Sequence, residues 1–407
     1  MKRFSELCIC INDQCDPATS GTSVYVGLEH ITSEAFFLSR HGNPTEVRSA
    51  KSRFKKGDIL YGKLRPYLDK AVIAPTDGIC STDILVFRPA PDVSGAFLLS
   101  LIHSSEFLTH AVQTTNGVNH PRTSWSGLSG FSWNAPSKAE QERIAAVLWK
   151  LQRAIETEKK LIATTRELKK STMWQLFMRG LRAESQRETE IGLLPKSWEI
   201  KRICDVAILK GGKRLPKGQP LVMENTGFPY IRVTDMEDTS VNTHGIKFVP
   251  KAIQPTIARY IITTKDIYIS IAGTIGLVGT IPPELEGANL TENAARIVLT
   301  DGEMNMRFLM HFLDTPVAQE QIRSHTAKNA QPKLALTRIE QILLPKPKSA
   351  DEQKEIADAL DILQQKLAAH EKKQSALQEL FKTLLHQLMT GQIRVADLDI
   401  DLSDIKS

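Results

Sequence analysis

Several short loops combine cations, amides and an aromatic ring in patterns suited to nucleic acid. In the first loop, Lys63, Arg65 and Tyr67 flank the rigid Pro66 between two β-rich runs. A second irregular stretch carries amides, an imidazole and a guanidinium, contributed by Asn116, Asn119, His120 and Arg122. Lys and Arg suit phosphates, Arg grips guanine bidentately, and Asn reads adenine. A solvated hairpin tip and a polar surface loop are the alternative interpretations of these two segments.

Similar chemistry recurs in the second half of the chain. The run 210–217 contains two adjacent glycines, which permit close approach of the backbone to a phosphate. Its cations are Lys210, Lys213, Arg214 and Lys217. The small-residue turn 273–276 offers Thr274 to a backbone or a base edge, and the stretch 328–333 mirrors 119–122. The candidates in that last stretch are Asn329, Gln331 and Lys333.

No catalytic pattern accompanies these loops. The sequence GGKR at 211–214 lacks the spacing of a P-loop, and no His-Glu-x-x-His pattern is present. The stretch 43–45 is more typical of a turn than of a methyltransferase motif. Asp266 and Glu284 do not form a convincing nuclease carboxylate cluster. We therefore expect a chain that is not itself an enzyme and has no catalytic residues.

The cysteines predict neither a disulfide framework nor a metal site. There are five in the chain, an odd number, at positions 8, 10, 15, 80 and 204. A site built from Cys8, Cys10 and Cys15 would need a fourth ligand such as His30, and the spacing matches no common zinc pattern.

Composition indicates an ordinary globular chain. The 407 residues allow two or three domains, and 41% of them are hydrophobic. No apolar run approaches the length of a membrane span. The N-terminal stretch 1–6 lacks the apolar region of a signal peptide, so we expect a cytoplasmic protein without membrane contact. The net charge of +6 permits nucleic-acid binding without requiring it.

The elements that must position these loops occur twice. The pattern EQ-x-x-IA opens both 140–182 and 352–394, and further matches follow along the two segments. The offset between matching residues is a constant 212, except for one slip of register just before the final Arg. The surrounding blocks match more weakly, for example 2–7 with 201–206, 56–60 with 264–268 and 119–122 with 330–333. This duplication predicts two equivalent units related by a pseudo-twofold axis.

The predicted fold class is α+β, with two mixed α/β domains separated by two long helices. The first domain covers 1–136, with β-rich runs at 24–26, 58–61 and 83–87 and a helical stretch at 95–112. The first long helix covers 137–180 and ends at Gly180. The predicted remainder comprises a hinge-like linker at 181–195 leading into the second domain up to 347, the second long helix at 348–394 and a C-terminal tail at 395–407.

Apolar residues in steps of four and three predict a heptad seam along each helix. In the first they are Ile144, Leu148, Leu151, Ile155, Ile162 and Leu168, and in the second Ile356, Leu360, Leu363, Leu367, Leu377, Leu384 and Leu388. Polar residues interrupt the seam at Glu158, Thr165, His370 and Gln374. Each helix would be about 60 Å long and needs a partner. The simplest partner is the other copy in an antiparallel coiled coil, and a homodimeric coiled coil is the alternative.

Together these motifs resemble a known family. They are the run 57–68 (GDILYGKLRPYL), Pro136 followed by 140–145 (EQERIA), and the copy at Pro347 followed by 352–357 (EQKEIA). In their order, repeated twice over the whole chain, they resemble the specificity (S) subunit of type I restriction–modification systems. Two departures stand out. The second domain has 270–276 (SIAGTIG) in place of the Lys63 and Arg65 loop, and the first domain lacks the lead at 194–198 (LPKSW).

The resemblance implies a non-catalytic subunit that binds an asymmetric bipartite site on double-stranded DNA, with each target recognition domain reading one half. It implies that the helices set the unread spacer and dock two methyltransferase (M) subunits, and that restriction/motor (R) subunits join the complex. S-adenosylmethionine, ATP and Mg are expected on those partners, with no cofactor in this chain. A stand-alone DNA-binding adaptor or regulator of the same fold is the alternative.

Overall fold

The computed structural model describes residues 1–182, 184–326, 332–395, 400 and 402. The chain divides into two compact units, one formed by Met1–Ile162 with Ala369–Ser407 and the other by Ala163–Ala368. Each unit contains one globular block and a part of both long helices. The mixed α+β class predicted from the sequence is confirmed.

The first unit is rich in short strands, and three of them fall on the β-rich runs predicted at 24–26, 58–61 and 83–87. The strands are β1 (Lys2–Arg3), β2 (Cys8–Ile11), β3 (Gln14–Cys15), β4 (Tyr25–Val26), β5 (Lys51–Phe54), β6 (Ile59–Gly62), β7 (Ala71–Ile73), β8 (Gly78–Cys80), β9 (Ile84–Pro89) and β10 (Ser132–Trp133).

Helices follow this strand-rich stretch. They are α1 (Gly95–Ile102), α2 (Ser105–Gln113), α3 (Trp125–Leu128) and the long α4 (Lys138–Arg179). The helical stretch predicted over 95–112 is present as two helices, because the chain breaks between α1 and α2. Ser104 adopts an extended conformation there, and its hydroxyl accepts a hydrogen bond from the Phe107 amide at 3.3 Å. A serine in this geometry is a helix N-cap, so a second helix starts.

The sheets of the first unit are small and packed over a shared core. One antiparallel sheet has the order β2-β9-β6-β7, a second has the order β3-β5-β8-β4, and β1 pairs with β10. In the second sheet, β4 runs parallel to β8, with Tyr25 opposite Ile79. Phe4, Phe87 and Phe107 lie fully buried between the β2-β9-β6-β7 sheet and the helices. This core fixes the strand ends from which the candidate loops emerge.

The globular block of the second unit begins with a hairpin that the sequence did not suggest. Residues 181–195 were predicted to be a hinge-like linker, but 186–195 pair as two antiparallel strands, with Gln186 opposite Pro195. The strands of this unit are β11 (Gln186–Thr189), β12 (Gly192–Pro195), β13 (Glu199–Arg202), β14 (Ala207–Gly211), β15 (Pro229–Ile231), β16 (Lys247–Phe248), β17 (Ile267–Ser270), β18 (Val278–Gly279), β19 (Asn289–Leu290), β20 (Ala294–Leu299) and β21 (Leu343–Lys346).

The helices of the second unit are mostly short. They are α5 (Ile203–Val206), α6 (Gln254–Ile257), α7 (Met306–Leu313), α8 (Pro316–His325), α9 (Leu336–Ile339) and the long α10 (Ala350–Met389). The observed bounds of α4 and α10 lie close to the two long helices predicted at 137–180 and 348–394.

The strand order of the first unit recurs in the second. The sheet β14-β20-β17-β18 matches β2-β9-β6-β7, and β13 pairs with β21 as β1 pairs with β10. The parallel pair β15 and β19 corresponds to β4 and β8. The duplication seen as weak matches in the globular blocks is therefore a duplication of topology.

Both long helices contribute apolar residues to each core. In the first unit, Ile144 and Leu148 of α4 share a buried cluster with Leu385 and Leu388 of α10. In the second unit, Phe177 near the end of α4 joins Ile356 and Leu360 near the start of α10. The start of one helix thus lies with the end of the other, as the antiparallel prediction requires, while regular coiled-coil geometry stays a prediction.

The predicted seam is wrong at Leu168. This side chain is 50% exposed, whereas Thr165 and Lys169 are buried. The Lys169 ammonium lies 3.1 Å from a carboxylate oxygen of Asp314 and 3.4 Å from one of Asp238. The charge of Lys169 is thereby paired, so it can occupy the inward position that a four-and-three spacing assigned to Leu168.

A second polar interruption of the seam joins the two copies of the repeat. The buried carboxylate of Glu158 lies 2.7 Å from the His370 ring and 2.7 Å from the Lys373 ammonium. Hydrogen bonds from Lys373 and His370 lower the pKa of Glu158. Glu158 and His370 are 212 residues apart, so this position contacts its own repeat counterpart.

The helix starts are also held in corresponding ways. Buried Glu140 receives two hydrogen bonds from the Arg394 guanidinium, at 2.6 and 2.7 Å. Its counterpart Glu352 accepts hydrogen bonds from the Leu181 amide at 3.2 Å and the Trp198 indole at 3.3 Å. In each unit, the acidic residue that opens one long helix binds the chain beyond the end of the other.

Candidate nucleic-acid interface

In the first unit, the two candidate loops meet side by side. The Arg65 amide donates to the Pro121 carbonyl at 2.7 Å, and the Thr123 amide donates to the Lys63 carbonyl at 3.0 Å. Asn116 and Arg122 exchange two backbone hydrogen bonds, at 2.9 and 3.0 Å. The sequence could place these loops on one domain, but their backbone pairing is a finding of the structure.

Both loops close around Asp83, a residue that sequence reasoning missed. The Lys63 amide donates to the Asp83 carbonyl at 3.0 Å. The Arg122 guanidinium binds the Asp83 carboxylate through Nε at 3.0 Å and Nη2 at 3.4 Å, and this contact raises the pKa of Arg122. Asp83 immediately precedes β9, and its place at the start of the β-rich run predicted at 83–87 was the available signal.

The remaining candidate side chains of this unit face outward. Arg65, Asn119 and His120 are exposed, Tyr67 is 53% exposed, and Lys63 is partly buried. A guanidinium, an imidazole, an amide and an aromatic ring thus share one surface. Such a set can contact phosphates, base edges and sugar faces.

In the second unit, the cationic run 210–217 is fixed by its backbone. The Lys213 amide donates to the Leu290 carbonyl at 2.8 Å, and the Gly212 amide donates to the Ala294 carbonyl at 3.0 Å. The Arg214 guanidinium pairs with the Glu292 carboxylate. Lys210, Lys213, Arg214 and Lys217 are all exposed. The run therefore presents its charges to solvent from a fixed main chain.

The turn at 273–276 and Lys333 lie against the same region. The Ile271 amide donates to the Asn293 carbonyl at 2.7 Å, and Ala272 pairs with Lys333 across an isolated bridge. Thr274 is exposed. The segment 291–293, which sequence reasoning missed, thus joins the cationic run to the turn. Asn329 and Gln331 lie outside the described residues.

The two sets of loops share one hydrogen-bond framework. The bond from Ile271 to Asn293 repeats the bond from Lys63 to Asp83, and the bond from the Leu334 amide to Ile271 repeats the bond from Thr123 to Lys63. The bridge from Ala272 to Lys333 repeats the one from Leu64 to Arg122. The backbone frame is therefore common to both units, while the side chains on it differ.

A cationic cleft adds Arg259, Tyr260 and Arg296, which the sequence did not single out. Its volume is about 250 Å³, and it is lined by Lys210, Arg259, Tyr260 and Arg296 among others. The Arg259 guanidinium carbon lies 4.9 Å from the centre of the Tyr260 ring, and the Lys213 ammonium lies 6.0 Å from it. The adjacent Arg and Tyr in the sequence were the available signal.

Among the residues that the structure describes, no group of three or more His, Cys, Asp or Glu side chains is placed to hold a metal ion. Burial raises the pKa of the Cys8 thiol and raises that of Cys80 to about 12. Within the same residues, no helix has the length and apolar character to cross a membrane.

Comparison with known proteins identifies a matching family model. Residues 195–379 match the model described as the type I restriction modification DNA specificity domain. The matched region begins at the end of β12 and includes most of α10. It contains the cationic run, the turn at 273–276 and Lys333.

Curated relatives match over wider stretches. The MjaVIII specificity subunit of Methanocaldococcus jannaschii is 23% identical over 291 residues, covering 70% of this chain and 67% of the relative. The HindI specificity subunit of Haemophilus influenzae is 21% identical, covering 72% and 77%. The EcoDI specificity subunit of Escherichia coli is 27% identical, covering 46% of this chain and 43% of its own length.

A solved structure shares the fold. The S subunit of a type I restriction–modification system from M. genitalium superimposes with a TM-score of 0.67 at 17% identity, covering 95% of each chain. At this identity the match concerns architecture, and it extends beyond the residues matched by the family model.

Proposed function

We propose that this chain, a member of the type I restriction specificity-subunit family, gives a restriction–modification complex its DNA sequence specificity. Each unit would read one half of a bipartite site on double-stranded DNA. The observation that carries the proposal is the duplicated loop framework, because it presents different exposed side chains on a common backbone in the two units. Two different readers favour an asymmetric target over a palindrome.

The chain has a binding role, and catalysis belongs to its partners. The relatives that it matches are specificity subunits. The candidate loops supply ion-paired guanidiniums, amides and exposed cations, which suit positioning on DNA. We propose that S-adenosylmethionine, ATP and Mg are bound by the partner subunits.

We further propose that the two long helices dock two methyltransferase subunits, which restriction/motor subunits then join. Leu168 on α4 and Leu380 on α10 support this, because they occupy equivalent positions in the repeat and are 50% and 45% exposed. Large apolar side chains exposed at equivalent points suit one partner copy each. Leu168→Asp or Leu380→Asp should each reduce the methyltransferase copies per chain from two to one by native mass spectrometry. Retention of two copies in both variants would contradict the docking proposal.

The decisive experiment is methylome sequencing of a host that expresses this chain with its methyltransferase. We expect methylation at an asymmetric site with two defined halves and an unread spacer. Replacing 1–136 by the first block of a relative should change one half and leave the other intact. A single contiguous site, or methylation without sequence preference, would contradict the proposal.

The spacer provides a separate test of the helices. We propose that their length sets the number of unread base pairs. An insertion of four residues in α4 with a matching insertion in α10 should change the spacer and leave both half-sites unchanged. An unaltered spacer would exclude this role for the helices.

A stand-alone DNA-binding adaptor of the same fold is the second candidate. Exposed cations on both loop sets would serve such a protein equally well. Purification of the chain from its host distinguishes the two, since only a specificity subunit should bring a methyltransferase with it.

A further inference from the structure

Arg65 occupies a backbone position that the second unit gives to a glycine. The shared hydrogen bonds align Lys63 with Ile271, and so place Arg65 level with Gly273. Each loop is also closed by one backbone hydrogen bond between its two ends. In the first unit the Gly62 amide donates to the Lys70 carbonyl at 2.8 Å, and in the second the Ser270 amide donates to the Leu277 carbonyl at 2.9 Å. The two loops thus leave and rejoin their strands in the same way.

Both ends of this loop are left-handed in each unit. Arg65 and Asp69 have φ angles of 51° and 47°, and their counterparts Gly273 and Gly276 have 78° and 91°. A side chain at such a φ brings its Cβ too close to the following carbonyl, a strain that glycine avoids. The first unit therefore has two side chains at backbone positions whose left-handed conformation favours glycine.

The Asp69 side chain has a structural use that accounts for its presence. Its carboxylate binds the buried His103 ring at 2.8 Å, and that ring also contacts the Ala71 carbonyl at 3.2 Å. The Arg65 guanidinium, in contrast, is exposed and makes no hydrogen bond or ion pair with any described residue. Strain retained at an exposed cation without an internal partner points to an external one.

We propose that Arg65 reads a guanine edge in the half-site bound by the first unit. The inference rests on the proposed function. Arg presents two parallel donors that match the O6 and N7 acceptors of guanine. The Arg65 amide bonded to Pro121 and the buried Pro66 fix the base of the side chain, which a base contact requires and a phosphate contact does not. Because Gly273 lacks any side chain at the same point, Arg65 also distinguishes the two readers.

The test is selection of bound sequences from a randomised duplex library by the full chain with its methyltransferase, using Arg65→Gly. We expect one G·C position in one half-site to lose about 5- to 150-fold of its preference, the range that a bidentate base contact supplies. The other half-site should keep its preference. The melting temperature should be unchanged or higher, because glycine relieves the left-handed strain.

Two further variants sharpen the result. Arg65→Lys keeps the charge but lacks the planar fork, so it should lose most of the same preference. Lys56→Gln removes one exposed charge at the opposite end of β6 and should change no base preference.

The possible outcomes are distinct. Uniformly weaker binding of Arg65→Gly with a shallower salt dependence would show a phosphate contact and overturn the proposal. A lowered melting temperature would show a structural role and overturn it as well. If the wild-type complex itself selects no sequence, the proposed function fails, whatever Arg65 does.

Discussion

Substitution of Gly212 by alanine should damage the second unit, whereas the same change at the adjacent Gly211 should not. A Cβ at position 212 would lie 2.0 Å from the Thr291 carbonyl oxygen and 2.3 Å from that of Leu290. Both atoms belong to the main chain and cannot rotate away. A Cβ at position 211 would meet only the Leu336 Cδ1 atom, at an ordinary 3.7 Å.

The size of the effect follows from what must move. Relief of the clash requires a shift of about 1 Å between the two chain segments, since packed interiors tolerate no such overlap. That shift breaks or lengthens the hydrogen bonds from Gly212 to Ala294 and from Lys213 to Leu290, at 3.0 and 2.8 Å. Overpacking costs about 1–3 kcal/mol, and each lost hydrogen bond about 0.5–1.5 kcal/mol.

We therefore expect Gly212→Ala to lose about 2–6 kcal/mol, which lowers the melting temperature by about 4–24 °C in a unit of this size. Gly211→Ala should be neutral or stabilising by up to about 1 kcal/mol, because alanine restricts the unfolded chain. Differential scanning calorimetry gives both values.

DNA binding provides the second measurement for this pair of variants. Gly212→Ala should weaken recognition of one half-site, because the displaced segment carries Lys213 and Arg214. Gly211→Ala leaves the segment in place, so it should weaken binding less than Gly212→Ala does. If the two variants have the same melting temperature and the same affinity for DNA, the close approach at Gly212 does not hold the cationic run in place.

Two further predictions concern buried groups. Burial lowers the pKa of His103, but the Asp69 carboxylate and backbone carbonyls outweigh it and raise that pKa. The stability that this contact contributes is therefore fully present below about pH 6.5, and it is lost as the pH rises through the raised pKa of His103. The difference in unfolding free energy between wild type and His103→Gln should shrink over that pH range. A difference that stays constant with pH would exclude a protonated His103. The Phe177 ring is buried, with its centre 5.0 Å from that of the Phe308 ring. Urea unfolding should show a loss of about 3–5 kcal/mol for Phe177→Ala, against less than about 0.5 kcal/mol for Leu168→Ala, since Leu168 is exposed on the same helix. Equal losses in the two variants would contradict this packing.

Periodicity was enough to predict the long helices. Lys138–Arg179 and Ala350–Met389 lie close to the predicted bounds, because each is free of internal glycine and proline and is followed by a glycine. Periodicity failed at Leu168, since the buried Lys169 takes its charge partner from Asp314, far along the chain. Spacing within one helix carries no information about such a partner.

The hairpin in the linker and the hydrogen bonds that join the candidate loops could not be predicted from the sequence for a similar reason. The first strand of the hairpin, Gln186–Thr189, has only polar side chains, and strands as short as these two carry little apolar alternation. The candidate loops were predicted individually from their residue types. Their convergence on Asp83 and on 291–293 depends on contacts between strand ends distant in sequence, which no local pattern records.

The contact between Glu158 and His370 bears on how a chain of this kind could originate. In a homodimer of half-length chains, a position that meets its own copy always presents two identical side chains. Two glutamates there would repel each other, and two histidines would repel once protonated. Joining the halves into one polypeptide removes that constraint, so the carboxylate can face an imidazole and the nearby Lys373 ammonium. A single polypeptide can therefore hold an unlike, attractive pair at a position where a symmetric dimer could not.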